Sequence, residues 1–365
     1  MSDRDLGLTA PTTRPVAAQH EFDRERLAAF LRDRVGSFSG AVAVEQFAGG
    51  QSNPTYLVSA GGQRYVLRRK PPGTLLPSAH AVDREYRIMR ALAGSDVPVP
   101  KVFALCDDPA VIGTEFFLME YVPGRVFWDA TLPGVEPAER KALYGEMNRV
   151  IAALHDVDHA AVGLADYGRP GEYLKRQIAR WTRQYRAAET EPMPAMERLI
   201  EWLPEHVPAS DETTIVHGDF RIDNVIFHPT EPRILAVLDW ELSTLGHPLA
   251  DFAYHVMAWR VTADEFRGIR GVDLTQLGIP DEASYVAAYC ARTGRGSIAD
   301  WDYYLAFNMF RMAAILQGIL ARAIQGNATS PEALATGQRA RPMAAAGWRL
   351  VEGMPAGPVV AGVQP

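Results

Sequence analysis

The spacing of apolar residues changes once along the chain, at Pro123-Gly124, and this change constrains the fold most strongly. Before it, short segments alternate between apolar and polar residues as half-buried strands do, and Gly61-Gly62 is a two-residue hairpin signal. The predicted strands span residues 41–47, 55–59, 64–69, 97–105 and 116–121, with one predicted helix at 81–92. The first third of the chain is therefore expected to be mostly sheet with a single helix.

After that point, apolar residues recur at the three- and four-residue spacing of helices. Pro137 falls in the first turn of one such segment, and Gly294 and Gly326 end two others. The predicted helices span residues 136–155, 173–185, 284–292 and 300–324, around a strand-rich insert at 215–240. A strand-rich lobe followed by a helical lobe predicts an α+β chain with a cleft suited to small ligands.

The same changes of pattern predict four regions. They are a flexible leader at 1–24, an N-lobe at 25–122, a helical C-lobe at 123–330, and a C-terminal helix with a loose tail at 331–365. The leader is charged where a signal peptide needs an apolar stretch. No apolar run reaches the ~18 residues that a membrane helix needs, so we expect no membrane partner.

Composition limits the functional class. The 365-residue chain has a formal net charge of -7, from 37 basic and 44 acidic residues, which argues against a nucleic-acid binder. Its two cysteines, Cys106 and Cys290, cannot form a disulfide framework. We therefore expect a cytoplasmic protein, either monomer or homodimer, that has no nucleic-acid partner.

The candidate catalytic and metal-binding residues lie in one segment, TIVHGDFRIDNVIFHPTEPRILAVLDW, residues 214–240. Phosphoryl transfer needs a carboxylate to accept the hydroxyl proton, oxygen ligands for Mg²⁺ and a cation near the phosphate. Asp219 is the candidate base, and Arg221 is the candidate cation. Asn224, five residues after Asp219, and Asp239, at the end of an apolar strand, are the candidate metal ligands.

HGDFRIDN resembles the catalytic loop of the protein-kinase-like fold, in the His-Gly-Asp form of aminoglycoside and choline phosphotransferases. Asp239-Trp240 resembles the magnesium-binding aspartate of that fold. The resemblance implies a bilobal α+β fold with a small antiparallel-sheet N-lobe and a larger, mostly helical C-lobe. It also implies ATP and Mg²⁺ as cofactors, and it adds His217 to the catalytic set, with orientation of the loop as its expected role.

The resemblance also implies a nucleotide-binding set in the N-lobe, from the loop over the phosphates to the hinge beside adenine. Its predicted members are Gly49, Gly50, Gln51, Ser52, Asn53, Arg68, Glu85, Glu120, Tyr121 and Val122. The sequence departs from the family at Arg68, which stands where a lysine is expected. An arginine can pair phosphate oxygens bidentately, and Lys70 is the alternative.

YVLRRKPPG, YLKRQIARWTRQY, HGDFRIDN and DWELSTLGHPLAD together resemble one subgroup, over residues 25–330. It is the phosphotransferase-like domain that occurs alone in bacteria and fused to acyl-CoA dehydrogenases in animals. The fused relatives imply a kinase that acts on a hydroxyacyl-CoA. His247 departs from the acidic residue expected there, which leaves its surroundings open.

The leading hypothesis is an ATP-dependent small-molecule O-phosphotransferase with an alcohol group as acceptor. The alternatives are an aminoglycoside-type antibiotic phosphotransferase, a non-catalytic nucleotide-binding domain of kinase-like fold, and a protein kinase. A protein kinase needs a longer segment after Asp239 than the twelve positions before Asp251. Five basic residues in or just beyond 173–185 favour an anionic acceptor such as a CoA ester: Lys175, Arg176, Arg180, Arg183 and Arg186.

Three further features have a chemical and a structural interpretation. Asp251 is either a third metal ligand or a residue that holds the catalytic loop. His155 and His159 have a spacing that zinc could use, although polar residues at a helix end explain them more simply. Trp181 and Tyr185 either line an acyl-chain site or belong to the core.

Overall fold

The computed structural model describes residues 12–36, 38–48, 53–71, 81–328 and 332–354. The chain divides into two units, each built from separate stretches of sequence. The first comprises Met1–Arg169, Thr214–Asp251 and Asp273–Gly296, and the second comprises Pro170–Thr213, Phe252–Val272 and Ser297–Pro365. The four regions expected from sequence stay predictions. All residues of the candidate catalytic and metal sites fall in the first unit.

A six-stranded antiparallel sheet forms part of the first unit, in the order β1-β2-β3-β4-β6-β5. Two short antiparallel pairs, β7 with β10 and β8 with β9, belong to the same unit. The strands are β1 Thr13–Arg14, β2 Ala43–Phe47, β3 Thr55–Ala60, β4 Gln63–Arg69, β5 Val102–Cys106, β6 Phe116–Glu120, β7 Thr214–Val216, β8 Val225–Phe227, β9 Ile234–Val237 and β10 Thr244–Gly246. The α+β class expected from sequence, an antiparallel sheet in the first part of the chain and mostly helices after it, is confirmed.

Thirteen α-helices lie within the described ranges. They are α1 Arg24–Arg34, α2 Val82–Leu92, α3 Pro109–Ile112, α4 Pro137–Asp156, α5 Tyr173–Ala188, α6 Pro194–Glu205, α7 Pro248–Val256, α8 Ala263–Phe266, α9 Leu274–Leu277, α10 Glu282–Arg292, α11 Trp301–Ile324, α12 Ala333–Gly337 and α13 Ala340–Gly353. Sequence analysis did not identify α1, whose start is fixed by the Asp23 carboxylate as it accepts from the Glu25 and Arg26 N–H groups at 3.0 Å.

Two predicted boundaries were wrong for local physical reasons. The strand expected from residue 97 begins at Val102, because Pro98 and Pro100 have no N–H to donate to a neighbouring strand. The single helix expected near 331–351 is two helices, α12 and α13. Gly337 ends α12, and a Cβ there would lie 2.6 Å from the Leu320 backbone, so this turn packs directly on α11.

The hairpin between β3 and β4 fixes which residues of β4 share a face. Gly61 and Gly62 both have positive φ, at +57° and +76°, as a tight two-residue turn requires. Leu67 and the other odd-numbered residues of β4 turn towards α1, where Leu67 joins an apolar core with Leu27. The opposite face therefore carries Arg68, away from that core.

In the second unit, α11 is the central helix and packs against α5, α12 and α13. Trp181 and Tyr185 of α5 are buried in this unit, as the core interpretation predicts. Among the described residues, α11 alone is long and apolar enough to cross a membrane. Of that apolar stretch, 78% is buried inside the protein, as in the core helix of a globular unit.

Candidate active site

The candidate catalytic loop connects β7 to β8 and begins with a turn that requires glycine. Gly218 has φ +83°, and a Cβ there would lie 2.8 Å from the Leu242 carbonyl oxygen. Both the left-handed backbone and the lack of space exclude a larger residue. The loop ends in a short 3₁₀ turn, Ile222–Asn224, which leads directly into β8.

Asp219 and Asn224 lie together in this loop. The Asn224 Nδ2 group donates to Asp219 Oδ2 at 3.0 Å and to the Asp219 carbonyl at 2.8 Å. These contacts use the amide nitrogen of Asn224, so its amide oxygen is the atom suited to ligate a cation. The Asp219 side chain is 20% exposed, so its carboxylate is accessible from solvent.

Arg221 contacts acidic residues on both sides of it. Its Nε lies 3.1 Å from Asp219 Oδ1, and its Nη2 lies 3.1 Å from Asp223 Oδ2. Sequence analysis expected this cation to face a transferred phosphate, and it did not identify Asp223. Through these contacts Arg221 holds the Asp219 carboxylate in place, while its contact with a transferred phosphate stays a prediction.

His217 is fully buried and uses both ring nitrogens within the loop. Its Nε2 lies 2.9 Å from the Leu238 carbonyl, and its Nδ1 accepts from the Asp219 backbone N–H at 3.1 Å. A carbonyl can only accept and an N–H can only donate, so the ring is neutral with its proton on Nε2. This arrangement suits a residue that orients Asp219, and it leaves no nitrogen for proton abstraction.

Asp251 holds the loop from behind. Its two oxygens accept from the backbone N–H groups of His217 and Gly218, each at 2.8 Å, and Oδ2 also lies 3.2 Å from His155 Nε2. Burial opposes ionisation of Asp251, but the hydrogen bonds from His155 and His217 outweigh it and lower the pKa of this carboxyl. Both oxygens are committed to the loop, which favours the structural interpretation of Asp251.

His155 is part of the same buried network. Its Nδ1 lies 2.7 Å from the Tyr289 hydroxyl, so the ring links α4 and α10 to Asp251. Within the described ranges, no group of three or more His, Cys, Asp and Glu side chains is arranged to hold a metal ion. The spacing of His155 and His159 is therefore better explained by the loop-holding role of His155.

Asp239 lies two residues after the end of β9 in a left-handed conformation, with φ +63°, and pairs with Arg68 of β4. Arg68 Nη2 lies 2.7 Å from Asp239 Oδ1, and Arg68 Nε lies 3.0 Å from Glu85 Oε1 in α2. Asn53 Nδ2 donates to the same Glu85 oxygen at 3.0 Å. By contrast, Lys70 pairs with Glu115 at 2.6 Å. The structure thus brings Arg68, rather than Lys70, to Glu85 and Asp239.

Glu241, two residues after Asp239, adds a third carboxylate at 3.5 Å from Arg68. Sequence analysis did not identify it, although its position beside Asp239 is a usable signal. Burial raises the pKa of Glu85 to about 7, against the lowering effect of Arg68, and Asp239 and Glu241 raise it further. Three acids therefore share one guanidinium, and the pocket has a surplus of negative charge that suits added cations.

The donor set near Asp239 fits Mg²⁺. The Leu238 N–H donates to the Asn224 carbonyl at 2.8 Å, which brings the residue before Asp239 against Asn224. The two side chains offer one amide oxygen and one carboxylate, and Mg²⁺ prefers oxygen ligands and takes few of them from protein. Asn224 and Asp239 are therefore the residues that would hold this cation.

The predicted hinge follows the end of β6. Glu120 pairs with Tyr65 of β4, and the Arg64 guanidinium lies 4.2 Å from the centre of the Tyr121 ring. Val122 is half-buried. The remaining members of the predicted phosphate loop, Gly49, Gly50, Gln51 and Ser52, lie outside the described residues.

The segment after the hinge is tied to β8. The Arg125 N–H donates to the Phe227 carbonyl at 2.8 Å, and the Phe227 N–H donates back at 2.9 Å. A Cβ on Gly124 would lie 2.3 Å from the Phe227 oxygen, so only glycine permits this approach. The hinge is thereby linked to the strand that follows Asn224.

Comparison with known proteins assigns a family. A family model described as a phosphotransferase enzyme family matches residues 43–307. Mouse acyl-CoA dehydrogenase family member 10 is 49% identical over 346 residues, which cover 94% of this chain and 32% of that protein. The chain thus spans about a third of that relative's length.

Solved structures agree with the family model. A Ralstonia eutropha protein, provisionally named an aminoglycoside phosphotransferase, is 58% identical with a TM-score of 0.84, covering 91% of this chain and 99% of that one. A thermostable aminoglycoside phosphotransferase mutant in complex with ADP and hygromycin B has a TM-score of 0.59 at 16% identity. It covers 90% of this chain and 99% of its own, and at this identity it supports the fold alone.

Proposed function

Because this chain belongs to the phosphotransferase enzyme family, we propose that it is an ATP-dependent kinase that phosphorylates an alcohol group of a small molecule. The observation that carries the proposal is the arrangement within the first unit. Asp219 and Asn224 lie in contact in the loop, and Asp239 pairs with Arg68 and, through it, with Glu85. These are the parts that phosphoryl transfer requires.

Each residue then has a chemical role. Arg68, held by Glu85, contacts the phosphates of ATP, and Asn224 and Asp239 hold Mg²⁺, which when bound neutralises phosphate charge. Asp219, oriented by His217 and Arg221, accepts the proton of the acceptor hydroxyl. The acceptor oxygen forms its bond to the γ-phosphorus as the bond from that phosphorus to the bridging oxygen of ADP breaks.

We propose a CoA ester with a hydroxyl on its acyl chain as the acceptor. The naming of the mouse relative as an acyl-CoA dehydrogenase supports this class. The basic residues of α5 support it less strongly, because Arg186 pairs with Glu197 and Lys175 pairs with Glu172. Arg180 and Arg183 remain as exposed charges that suit an anionic ligand.

An aminoglycoside is the second candidate acceptor. The observation in its favour is the provisional name of the Ralstonia eutropha protein, at 58% identity over nearly its whole length. An aminoglycoside is a polycation, whereas a CoA ester is a polyanion. An aminoglycoside would therefore need an acidic binding surface, whereas a CoA ester would need a basic one.

The test is ADP release from Mg·ATP by the purified chain with a 4-hydroxyacyl-CoA or with kanamycin. We expect stimulation by the CoA ester alone; stimulation by kanamycin alone would reverse the choice of acceptor. Asp219→Asn should lower turnover at least ~100-fold, because the proton acceptor is lost. Mg·ADP binding should change less than about threefold, because the asparagine oxygen can still accept from Asn224, and Asp239 and Arg68 are retained. Full activity in that variant would refute the assignment of the base.

A further inference from the structure

Helix α2 contacts two other segments of the first unit through Arg84, the residue next to Glu85. The Arg84 guanidinium donates to the Tyr167 carbonyl at 2.6 Å and to the Ser243 carbonyl at 3.4 Å. It also lies 4.1 Å from the centre of the Tyr167 ring. Arg84 thus joins α2 to the loop at 163–168 and to the segment that follows Asp239.

Tyr167 and Ser243 are joined to each other by a buried hydrogen bond. The Tyr167 hydroxyl lies 2.7 Å from Ser243 Oγ and 3.2 Å from the Arg84 carbonyl. Ser243 Oγ donates its single proton to the Trp240 carbonyl at 2.6 Å, so the Tyr167 hydroxyl proton is shared between Ser243 Oγ and the more distant Arg84 carbonyl. Tyr167 and Ser243 are 0% and 3% exposed, where water could not replace a lost partner.

Gly168 provides a separate contact between the same segments. A Cβ at this position would lie 2.5 Å from Thr244 Oγ1 and 2.6 Å from the Leu245 nitrogen. The loop therefore lies directly against β10, at a distance that no other residue type permits. This contact does not depend on the hydroxyl of Tyr167.

We propose that Arg84, Tyr167, Gly168 and Ser243 form a clamp, the α2 clamp, that fixes α2 against residues 239–243. The clamp keeps Glu85 within contact distance of Arg68 Nε. It also keeps Asp239 within contact distance of Nη2 on the same guanidinium. Tyr167 and Ser243 are positioning residues in this proposal. The chain thereby holds its ion pair in place with its own side chains.

Hydrogen exchange of the α2 amides, residues 82–92, tests the clamp in the full chain. Tyr167→Phe removes one hydroxyl and keeps the ring that Arg84 contacts. We expect exchange in α2 to accelerate roughly three- to tenfold, as for the loss of one buried hydrogen bond. The control is Tyr144→Phe, which removes a buried hydroxyl that donates to the Ala130 carbonyl at 2.5 Å, away from α2. Equal α2 exchange in both variants would overturn the clamp.

The second measurement rests on the proposed function and uses AMP-PNP, titrated with and without Mg²⁺. A loosened α2 reduces the fraction of binding-competent molecules, so Tyr167→Phe should reduce the Mg²⁺-dependent gain in affinity roughly three- to tenfold. When Glu85→Gln is already present, Tyr167→Phe should not reduce this gain any further. If the double variant instead showed the product of the two single effects, the clamp would be overturned. If the wild type binds no AMP-PNP, the proposed function fails, while hydrogen exchange still decides the clamp.

Discussion

Arg68 Nη2 lies 2.7 Å from Asp239 Oδ1, although the two residues are 171 positions apart in the chain. The contact joins the cation of β4 to the carboxylate that follows β9. Arg68 also contacts Glu85 and Glu241, and it is 13% exposed. A buried guanidinium with three acidic neighbours cannot be replaced by a shorter or uncharged side chain without leaving those acids unpaired.

Replacing Arg68 should therefore affect the nucleotide, whereas replacing Lys70 should not. We expect Arg68→Gln to weaken binding of Mg·AMP-PNP at least tenfold, about 1.4 kcal/mol, in calorimetry. Lys70→Gln is the matched control, because Lys70 pairs with Glu115, and its Kd should stay within about twofold. A larger loss in Lys70→Gln than in Arg68→Gln would assign the phosphate contact to Lys70 instead of Arg68.

Asp239→Asn tests the metal role with little change to the backbone. Asparagine tolerates the left-handed conformation that Asp239 adopts, and its amide oxygen can still accept from Arg68, so the local backbone should be retained. The loss of the carboxylate should abolish most of the gain in AMP-PNP affinity that Mg²⁺ provides. Glu241→Gln is the comparison variant, and it should retain that gain. Equal Mg²⁺ dependence in Asp239→Asn and the wild type would exclude Asp239 as a ligand.

Asp251→Asn should destabilise the chain. The Asp251 oxygens accept from two backbone N–H groups, and an asparagine would turn one acceptor into a donor that faces an N–H. We expect a loss of about 2–4 kcal/mol in the free energy of unfolding, measured in urea.

The control for this loss is Asp281→Asn. Asp281 is an exposed N-cap of α10, where asparagine is an equally good cap. It should cost less than ~0.5 kcal/mol. Equal stability of the two variants would show that the Asp251 hydrogen bonds do not hold the loop.

Glu85→Gln should change the pH dependence of stability. The pKa of Glu85 is raised to about 7, chiefly by burial, so the folded chain keeps this proton where the unfolded chain has released it. Stability from this group is therefore greatest below about pH 4.5 and falls as pH rises to about 7. The Gln variant lacks this decline.

Urea unfolding at pH 5 and pH 8 checks this sign. Relative to the wild type, Glu85→Gln should gain roughly 2–3 kcal/mol between the two pH values. Glu205→Gln, an exposed residue at the end of α6, should show no such change. If Glu85→Gln instead lost stability between pH 5 and pH 8, relative to the wild type, Arg68 would lower the pKa of Glu85 more than burial raises it.

The local sequence was sufficient to predict most of the catalytic loop. Asp219, Asn224 and Asp239 lie within 21 consecutive residues, and their spacing around a glycine turn and a short hairpin leaves few ways to arrange them. Strands β2 to β6 and the helices α2, α4, α5, α10 and α11 were also predictable from apolar periodicity, whereas α1 and α6 were not identified. Two wrong boundaries have local causes: the prolines before β5, and Gly337, which separates α12 from α13 by its close contact with α11.

The sequence alone identified the chemical groups, and it left Arg68 in β4 and Lys70 just after β4 as the two candidate cations. Only the tertiary structure decided between them, since packing of α2 brings Glu85 to Arg68 while Lys70 meets Glu115. Glu241, the Asp251 network and the α2 clamp also join residues far apart in the chain. Periodicity reports which face a side chain occupies, but the partner across a contact is fixed by how separate elements pack.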